Sequence, residues 1–146
     1  MNEAGFGEEE DLWHRPVMVE EVTAFLITES TQLVVDCTVG TAGHALALLS
    51  RANANCRLIG IDLDDEALSI ARRRLARFQG RFELRKGNYG DIIELLGEDL
   101  VGRVDALLID CGISQLQLVK SDRGFSFDRE GRLDMRFDTS RRLTAM

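Results

Sequence analysis

Four short apolar runs, separated by stretches of helical periodicity, constrain the fold of this chain more than any other feature. The runs cover 33–36, 57–62, 82–85 and 104–110. Near-continuous apolar runs are typical of strands that are covered on both faces. The stretches between them, 43–51, 64–78 and 91–96, repeat apolar residues at helical steps. This alternation predicts an α/β fold, in which a doubly wound parallel sheet carries helices on both faces.

Two local signals refine this prediction. The apolar residues Met18, Val22 and Phe25 recur at steps of three and four after Pro16, which predicts a helix over 17–27. Asp64 stands at the start of the 64–78 helix, where its carboxylate can accept hydrogen bonds from the first free amides. The residues from 121 to 146 are rich in Gly, Ser, Asp and Arg, and we expect loop and short turns there.

Length and composition fit one globular domain, with 146 residues of which 45% are hydrophobic and 29% are charged. No apolar run approaches the roughly 20 residues that a membrane-spanning helix needs. The acidic N-terminus does not follow the plan of a signal peptide. We therefore expect no membrane association and a cytoplasmic location, or an organellar one if a transit peptide has been removed.

The cysteines and histidines do not form a metal-binding pattern. Cys37, Cys56 and Cys111 are isolated from one another, and the two histidines are far apart in sequence. We expect free thiols in a reducing compartment and no metal site.

Charge is distributed unevenly along the chain. Five of the first twelve residues are acidic, and the formal net charge is -7, so we expect 1–12 to be a disordered acidic leader. From Lys120 onwards there are seven basic residues and five acidic ones. This Arg-rich segment is either a surface that meets phosphates or a solvated face whose charges compensate one another.

The residues that follow the predicted strands suit a nucleotide-like ligand. Gly40 and Gly43 lie in the turn after the first strand, where glycine lets the backbone approach a ligand. This turn lacks the Gly-x-Gly-x-x-Gly fingerprint, so an ordinary strand-to-helix turn is the alternative. Asp62 follows Gly40 by 22 residues, a spacing at which a carboxylate can accept both ribose hydroxyls. Because Asp64 takes the capping role, Asp62 is free for a ligand.

The third and fourth strands add two further candidates. Tyr89 follows the third strand, where its ring can lie beside an adenine, and Asp110 ends the fourth strand at the ligand rim. Tyr89 is also the single tyrosine, and Ile93 stands four residues after it. The Tyr-x-x-x-Lys pair of short-chain dehydrogenases is therefore absent, which disfavours a nicotinamide-dependent oxidoreductase.

Taken together, these motifs resemble those of the MraW-type ribosomal RNA methyltransferases, a family that uses S-adenosylmethionine to methylate N4 of a cytidine in small-subunit rRNA. The matching motifs extend from His14 to Asp138. They are His14-Arg15-Pro16-Val17, Asp36-Cys37-Thr38-Val39-Gly40-Thr41-Ala42-Gly43-His44, Gly60-Ile61-Asp62-Leu63-Asp64, Gly87-Asn88-Tyr89, Asp110-Cys111-Gly112-Ile113-Ser114 with Gln117, Arg123-Gly124-Phe125-Ser126-Phe127 and Leu133-Asp134-Met135-Arg136.

The resemblance implies a role for each matching site residue. Cofactor contacts are implied for Ala42, Gly43, His44, Asp62, Tyr89, Asp110 and Gln117, and Gly40 belongs to the same loop. Asp110 is the candidate acceptor of a hydrogen bond from the cytosine amine, and the Ser114 hydroxyl is a candidate to hold the base. Arg123 and Arg136 are candidate anchors for RNA phosphates.

The resemblance also implies a domain division. Residues 13–118 would form the methyltransferase core, and 119–146 would form a substrate-side segment that leads to a helical insertion and further strands absent from this chain. We therefore expect an incomplete sheet with an open edge. The alternative function is a non-catalytic binding module that pairs with itself or with another protein through that edge. Ala42 departs from the family pattern because it stands where the family has a glycine.

Overall fold

Four parallel strands form the centre of the structure, a computed structural model that describes residues 16–114, 117–118, 122–128 and 130–146. The expected acidic leader 1–12 lies outside the described residues, as do His14 and Arg15. The strands are β1 (Leu33–Asp36), β2 (Arg57–Asp62), β3 (Phe82–Lys86) and β4 (Ala106–Leu108). Their spatial order is β3-β2-β1-β4, and every neighbouring pair is parallel.

In the described residues up to position 114, α-helices connect or precede the strands. They are α1 (Val19–Leu26), α2 (Gly43–Arg51), α3 (Asp65–Arg74) and α4 (Ile92–Leu96), with 3-10 turns at Ala76–Phe78 and Tyr89–Asp91. The alternating strands and helices confirm the predicted doubly wound α/β fold. None of the helices in the described ranges combines the length and apolar character needed to cross a bilayer.

The core has two layers because successive strand residues face opposite sides of the sheet. On one side Val34 and Leu58 pack with Leu48 and Leu49 of α2 and with Leu68 of α3. On the other side Val35, Ile59 and Ile61 pack with Leu96 of α4. Helices therefore cover both faces, as the apolar runs predict.

The largest differences from the predicted bounds are in one helix and one strand. The helix predicted to reach residue 78 ends at Arg74, because the hydrogen bonds change from the four-residue spacing of Leu75 to Ala71 to the three-residue spacing of Phe78 to Leu75. The strand predicted over 104–110 pairs only over Ala106–Leu108. Among the described residues β4 pairs with β1 alone, and beyond β4 the Asp110 amide donates to the Thr38 hydroxyl.

The described residues after position 121 form turns without a helix or strand, as predicted. Two ion pairs among the described residues join this part of the chain to the ends of the strands. Arg123 forms an ion pair with Asp64 just before α3, and Lys86 at the end of β3 forms one with Asp138. The edge-to-face rings of Phe125 and Phe137, 5.4 Å apart, hold the segment together.

Candidate functional site

A cleft of about 510 Å³ lies beyond the carboxyl ends of the four strands. This is where ligands bind in open parallel α/β sheets, and the volume suits a small-molecule cofactor. Most of the predicted site residues line it. They are Gly40, Gly43, His44, Asp62, Tyr89, Asp110, Ser114 and Gln117.

The turn after β1 bends sharply at the cleft because Gly40 and Ala42 adopt left-handed backbone conformations. Gly40 has φ 51°, and its amide donates a 2.8 Å hydrogen bond to the Asp62 carboxylate. Gly43 begins α2, and a Cβ at this position would lie 2.9 Å from the Pro16 ring. The turn therefore brings the free amides at the start of α2 to the cleft.

Ala42 does not line the cleft, in contrast to its expected cofactor contact. Its side chain is fully buried in the core formed with α2, and its backbone has φ 70°. The methyl group that replaces the family's glycine therefore points away from the ligand space. Alanine at this position lowers the stability of the fold, because L-residues adopt the left-handed conformation with strain.

Asp62 joins the end of β2 to the β1 turn. One carboxylate oxygen accepts from the Gly40 amide at 2.8 Å, and the other accepts from the Asp64 amide at 3.0 Å. Burial raises the pKa of Asp62 above its ordinary value, although these amides lower it. Since a carboxylate has about four acceptor sites, its oxygens retain capacity for a ligand's hydroxyl groups.

Asp36, which the sequence interpretation left without a role, lies below the cleft at the end of β1. Its side chain is buried and accepts a 3.2 Å hydrogen bond from the Thr38 amide. Desolvation raises the pKa of Asp36 to about 7, and the nearby Asp62 and Asp110 charges add to this effect. The sequence signals were its position at the end of an apolar run and at the start of the matched motif Asp36-Cys37-Thr38.

Thr38 is the second residue of this motif to which the sequence interpretation assigned no role. Its hydroxyl accepts a 2.8 Å hydrogen bond from the Asp110 amide, which joins the ends of β1 and β4. The Asp110 carboxylate is half-exposed and lies 3.9 Å from His44 Nδ1. His44 is buried, and its Nε2 donates to the Val17 carbonyl at 2.9 Å because a carbonyl can only accept. The cleft thus presents a carboxylate beside a fixed imidazole.

Tyr89 forms the wall of the cleft after β3. Its side chain is 42% exposed, and its hydroxyl lies 3.8 Å from the Cys111 sulfur. Asn88 fixes the turn before it, because the Asn88 side-chain oxygen accepts from the Gly90 amide at 2.9 Å. The ring is therefore accessible to a flat ligand on this side of the cleft.

Ser114 and Gln117 form a reciprocal pair of hydrogen bonds at the far end of the cleft. The Ser114 amide donates to the Gln117 side-chain oxygen at 3.0 Å, and the Gln117 amide donates to the Ser114 hydroxyl at 3.3 Å. This exchange is the capping box of a helix start. Gln117 is buried and also donates to Asp64 at 3.4 Å, so most of its hydrogen-bonding capacity is directed to the protein.

The two arginines predicted as RNA anchors bind groups of the protein itself. Arg123 lies 2.8 Å from the Asp64 carboxylate and donates to the Arg136 and Phe137 carbonyls. Arg136 holds both oxygens of Asp134 at 2.6 Å. The sequence alone does not show which acidic residues these arginines contact, because the fold brings those partners together. The structure therefore places both guanidinium groups in internal ion pairs, and their contact with RNA phosphates stays a prediction.

Within the described ranges, no group of three or more His, Cys, Asp or Glu side chains is arranged to hold a metal ion. The free cysteines in this part of the chain are Cys37 and Cys56, which are buried, and Cys111, which is exposed at the cleft.

Curated relatives of this chain are named ribosomal RNA small subunit methyltransferase H. The protein from Thermotoga neapolitana is 45% identical over 133 residues, which is 91% of this chain and 44% of that protein. The protein from Pseudothermotoga lettingae is 41% identical over 137 residues, covering 92% of this chain and 46% of that protein. The chain thus spans less than half the length of these two relatives.

Comparison with solved structures supports the fold. The O-methyltransferase TomG from Streptomyces achromogenes, solved in complex with SAM, superposes with a TM-score of 0.52 at 17% identity, covering 60% of this chain and 40% of that one. At that identity the likeness concerns the fold alone. The family model of the MraW methylases matches residues 11–146, and together with the sequence relatives it shows that this chain belongs to the MraW methylase family.

Proposed function

We propose that this chain carries the cofactor cleft of an S-adenosylmethionine-dependent methyltransferase that acts on small-subunit ribosomal RNA, at N4 of a cytidine. The observation that carries the proposal is the position of Asp62. Its half-buried carboxylate stands at the end of β2 and faces the same cleft as the Gly40 turn and the Tyr89 ring. The family membership and the names of the relatives support the reaction class and the RNA substrate.

The residues of the cleft fit the parts of this cofactor. Asp62 would accept from the ribose hydroxyls, and Tyr89 would lie beside the adenine. The backbone of Gly40 and Gly43 leaves room at the start of α2, where His44 also lines the cleft. When bound, S-adenosylmethionine supplies an electrophilic methyl group.

Asp110 would act on the target amine. The nitrogen that gains a methyl group must lose a proton, and the exposed Asp110 carboxylate at the cleft can accept a hydrogen bond from it. Its backbone is held by Thr38, and its oxygen lies beside His44. The Ser114 hydroxyl accepts from Gln117 and keeps its own proton to donate to the base.

The test compares methyl transfer with cofactor binding. Asp110→Asn keeps the shape of the side chain but removes its charge, so transfer of labelled methyl to small-subunit rRNA is expected to fall about 100-fold or more. The affinity for S-adenosylhomocysteine is expected to change less than about threefold, because the proposal assigns Asp110 to the amine. Transfer at the parental rate by Asp110→Asn would reject its proposed role.

A second candidate function, a non-catalytic binding module, is favoured by the edge of the sheet. On β4 and just beyond it, Leu107 and Ile109 are 43% and 48% exposed, and an edge strand presents unpaired backbone groups. Such a module would pair with a second copy or with another protein at this strand. Light scattering after size exclusion, measured beside S-adenosylhomocysteine binding, distinguishes the two, since a binding module would assemble without binding the cofactor.

A further inference from the structure

A second groove, which we name the C-terminal groove, adjoins the cofactor cleft. It has a volume of about 480 Å³ and is lined by Leu63, by residues 134–138 and by residues 141–145. Leu63 and Phe137 line both the groove and the cleft. A ligand in the groove would therefore be the direct neighbour of a ligand in the cleft.

Apolar side chains form much of the groove surface. Met135 is 40% exposed and Leu143 is 87% exposed, and Phe137 and Ala145 lie between the polar groups. Exposed apolar and aromatic surface of this kind suits the flat face of a nucleobase, which gains free energy by stacking and does not need a particular sequence.

The acidic residues of the groove are already neutralised by neighbouring cations. Both oxygens of Asp134 lie 2.6 Å from the Arg136 guanidinium. Asp138 accepts from Lys86 at 3.1 Å and from the Ser140 hydroxyl at 2.7 Å. These two carboxylates therefore do not repel an anion as free carboxylates would.

Two exposed arginines remain at the rim of the groove. The Arg141 side chain is 63% exposed and contacts Asp138 only at 3.7 Å. Arg142 is exposed and forms no ion pair with the residues that the structure describes. The rim thus combines cationic donors with apolar surface, which is the pattern of a site that holds a phosphate and a base together.

We propose that the C-terminal groove binds a nucleotide of single-stranded RNA next to the target base, with Arg141 and Arg142 contacting its phosphates and Leu143 contacting its base. The proposal rests on the proposed function, because the neighbouring cleft is the one that would hold the methyl donor. It assigns the phosphate contacts to two arginines at the open rim, whereas Arg123 and Arg136 serve internal ion pairs.

The experiment measures binding of a fluorescein-labelled single-stranded RNA of about ten nucleotides to the full chain by anisotropy, between about 50 and 200 mM salt. The variants are Arg141→Gln with Arg142→Gln, and separately Leu143→Ser. The matched control is Arg51→Gln, because Arg51 is also an exposed arginine but lies at the end of α2, where this helix has run back to the opposite end of the sheet. S-adenosylhomocysteine binding is measured on every variant.

The double arginine variant is expected to bind RNA about tenfold more weakly, and the slope of log affinity against log salt is expected to fall by about 1 to 2. Leu143→Ser should weaken binding about threefold without changing the slope, since it contacts no phosphate. Arg51→Gln should match the parent chain.

Equal RNA affinities for the double variant and for Arg51→Gln would overturn the groove proposal, and so would a parent chain that binds S-adenosylhomocysteine but no RNA. In both cases the proposal that the cleft binds the cofactor would be unaffected, provided that S-adenosylhomocysteine still binds. A chain that binds RNA through the two arginines but not S-adenosylhomocysteine would instead contradict the proposed function.

Discussion

The guanidinium of Arg123 lies 2.8 Å from the carboxylate of Asp64, and both side chains are largely buried, at 15% and 5% exposure. The same carboxylate caps α3 by accepting from the Glu66 amide at 3.0 Å and receives a 3.4 Å contact from Gln117. Asp64 therefore joins three parts of the chain beside the cleft.

Replacing Arg123 with methionine would leave the buried Asp64 charge without its cationic partner. Breaking such a pair destabilises the folded state by about 3 kcal/mol, since the remaining charge is poorly solvated. Urea unfolding measures the loss. Arg132→Met is the control, because Arg132 is exposed in the same segment and should change the free energy of unfolding by less than about 0.5 kcal/mol. Equal stabilities of the two variants would show that the ion pair is unimportant.

Gly60 in β2 is required by packing. A Cβ at this position would lie 2.8 Å from side-chain atoms of both Leu84 and Val39. Gly60→Ala is therefore expected to lower the free energy of unfolding by about 1–3 kcal/mol. At Gly112 a Cβ would meet no atom within 4 Å, so thermal or urea unfolding of Gly112→Ala provides the comparison. If both variants unfolded alike, the packing around Gly60 would be looser than the structure shows.

Asp36 makes stability depend on pH. Its pKa is raised from 3.8 to about 7 in the folded chain, so the folded state holds a proton that the unfolded state releases. The resulting stabilisation is fully present below pH 3.8 and is lost as pH rises to about 7. Asp36→Asn stays neutral throughout and keeps the acceptor for the Thr38 amide.

The stability of Asp36→Asn relative to the parent chain should therefore increase between about pH 4 and pH 7 and level off above that range. Urea unfolding at half-unit pH steps measures the difference. A difference that stays constant over the whole range would mean that Asp36 does not titrate in this window.

The fold and part of the site could be predicted because their determinants are local. The apolar runs predict the strands, and Asp64 caps α3 as expected. Strand direction in a parallel sheet also brings Asp62 and Asp110 to the same end of the sheet, because Asp62 ends β2 and Asp110 lies just beyond β4. These inferences need only strand order and the rule that ligands lie beyond the carboxyl ends of the strands.

The parts of the site that could not be predicted depend on contacts between residues far apart in sequence. Arg123 and Asp64 are 59 residues apart, so charge patterning could not identify their pairing, and the expectation of RNA contact came from the family resemblance alone. Asp36, Asp62 and Asp110 look alike in the sequence, yet Asp36 alone lies below the cleft surface. Ala42 was expected at the cofactor because its loop lies there, and the left-handed turn directs its side chain into the core.

Substitutions of Tyr89 test whether its ring or its hydroxyl group contributes to cofactor binding. Stacking on a base is worth about 1–3 kcal/mol, so Tyr89→Ala should weaken S-adenosylhomocysteine binding about tenfold. Tyr89→Phe keeps the ring and loses only the hydroxyl that lies 3.8 Å from Cys111, so it should bind like the parent chain. Equal affinities for the alanine and phenylalanine variants would place the adenine elsewhere.

We propose above that the cleft at the carboxyl ends of the strands binds S-adenosylmethionine through Asp62. Calorimetric titration of the full chain with S-adenosylhomocysteine, and separately with oxidised nicotinamide dinucleotide, measures this binding without requiring turnover. Asp62→Ala is the variant, and Asp65→Ala is the control, because the Asp65 side chain is 72% exposed and does not line the cleft. We expect saturable binding of S-adenosylhomocysteine alone, weakened at least about tenfold by Asp62→Ala and unchanged by Asp65→Ala. If the folded chain does not bind S-adenosylhomocysteine, or if the two variants bind it equally, Asp62 is not the cofactor ligand proposed here.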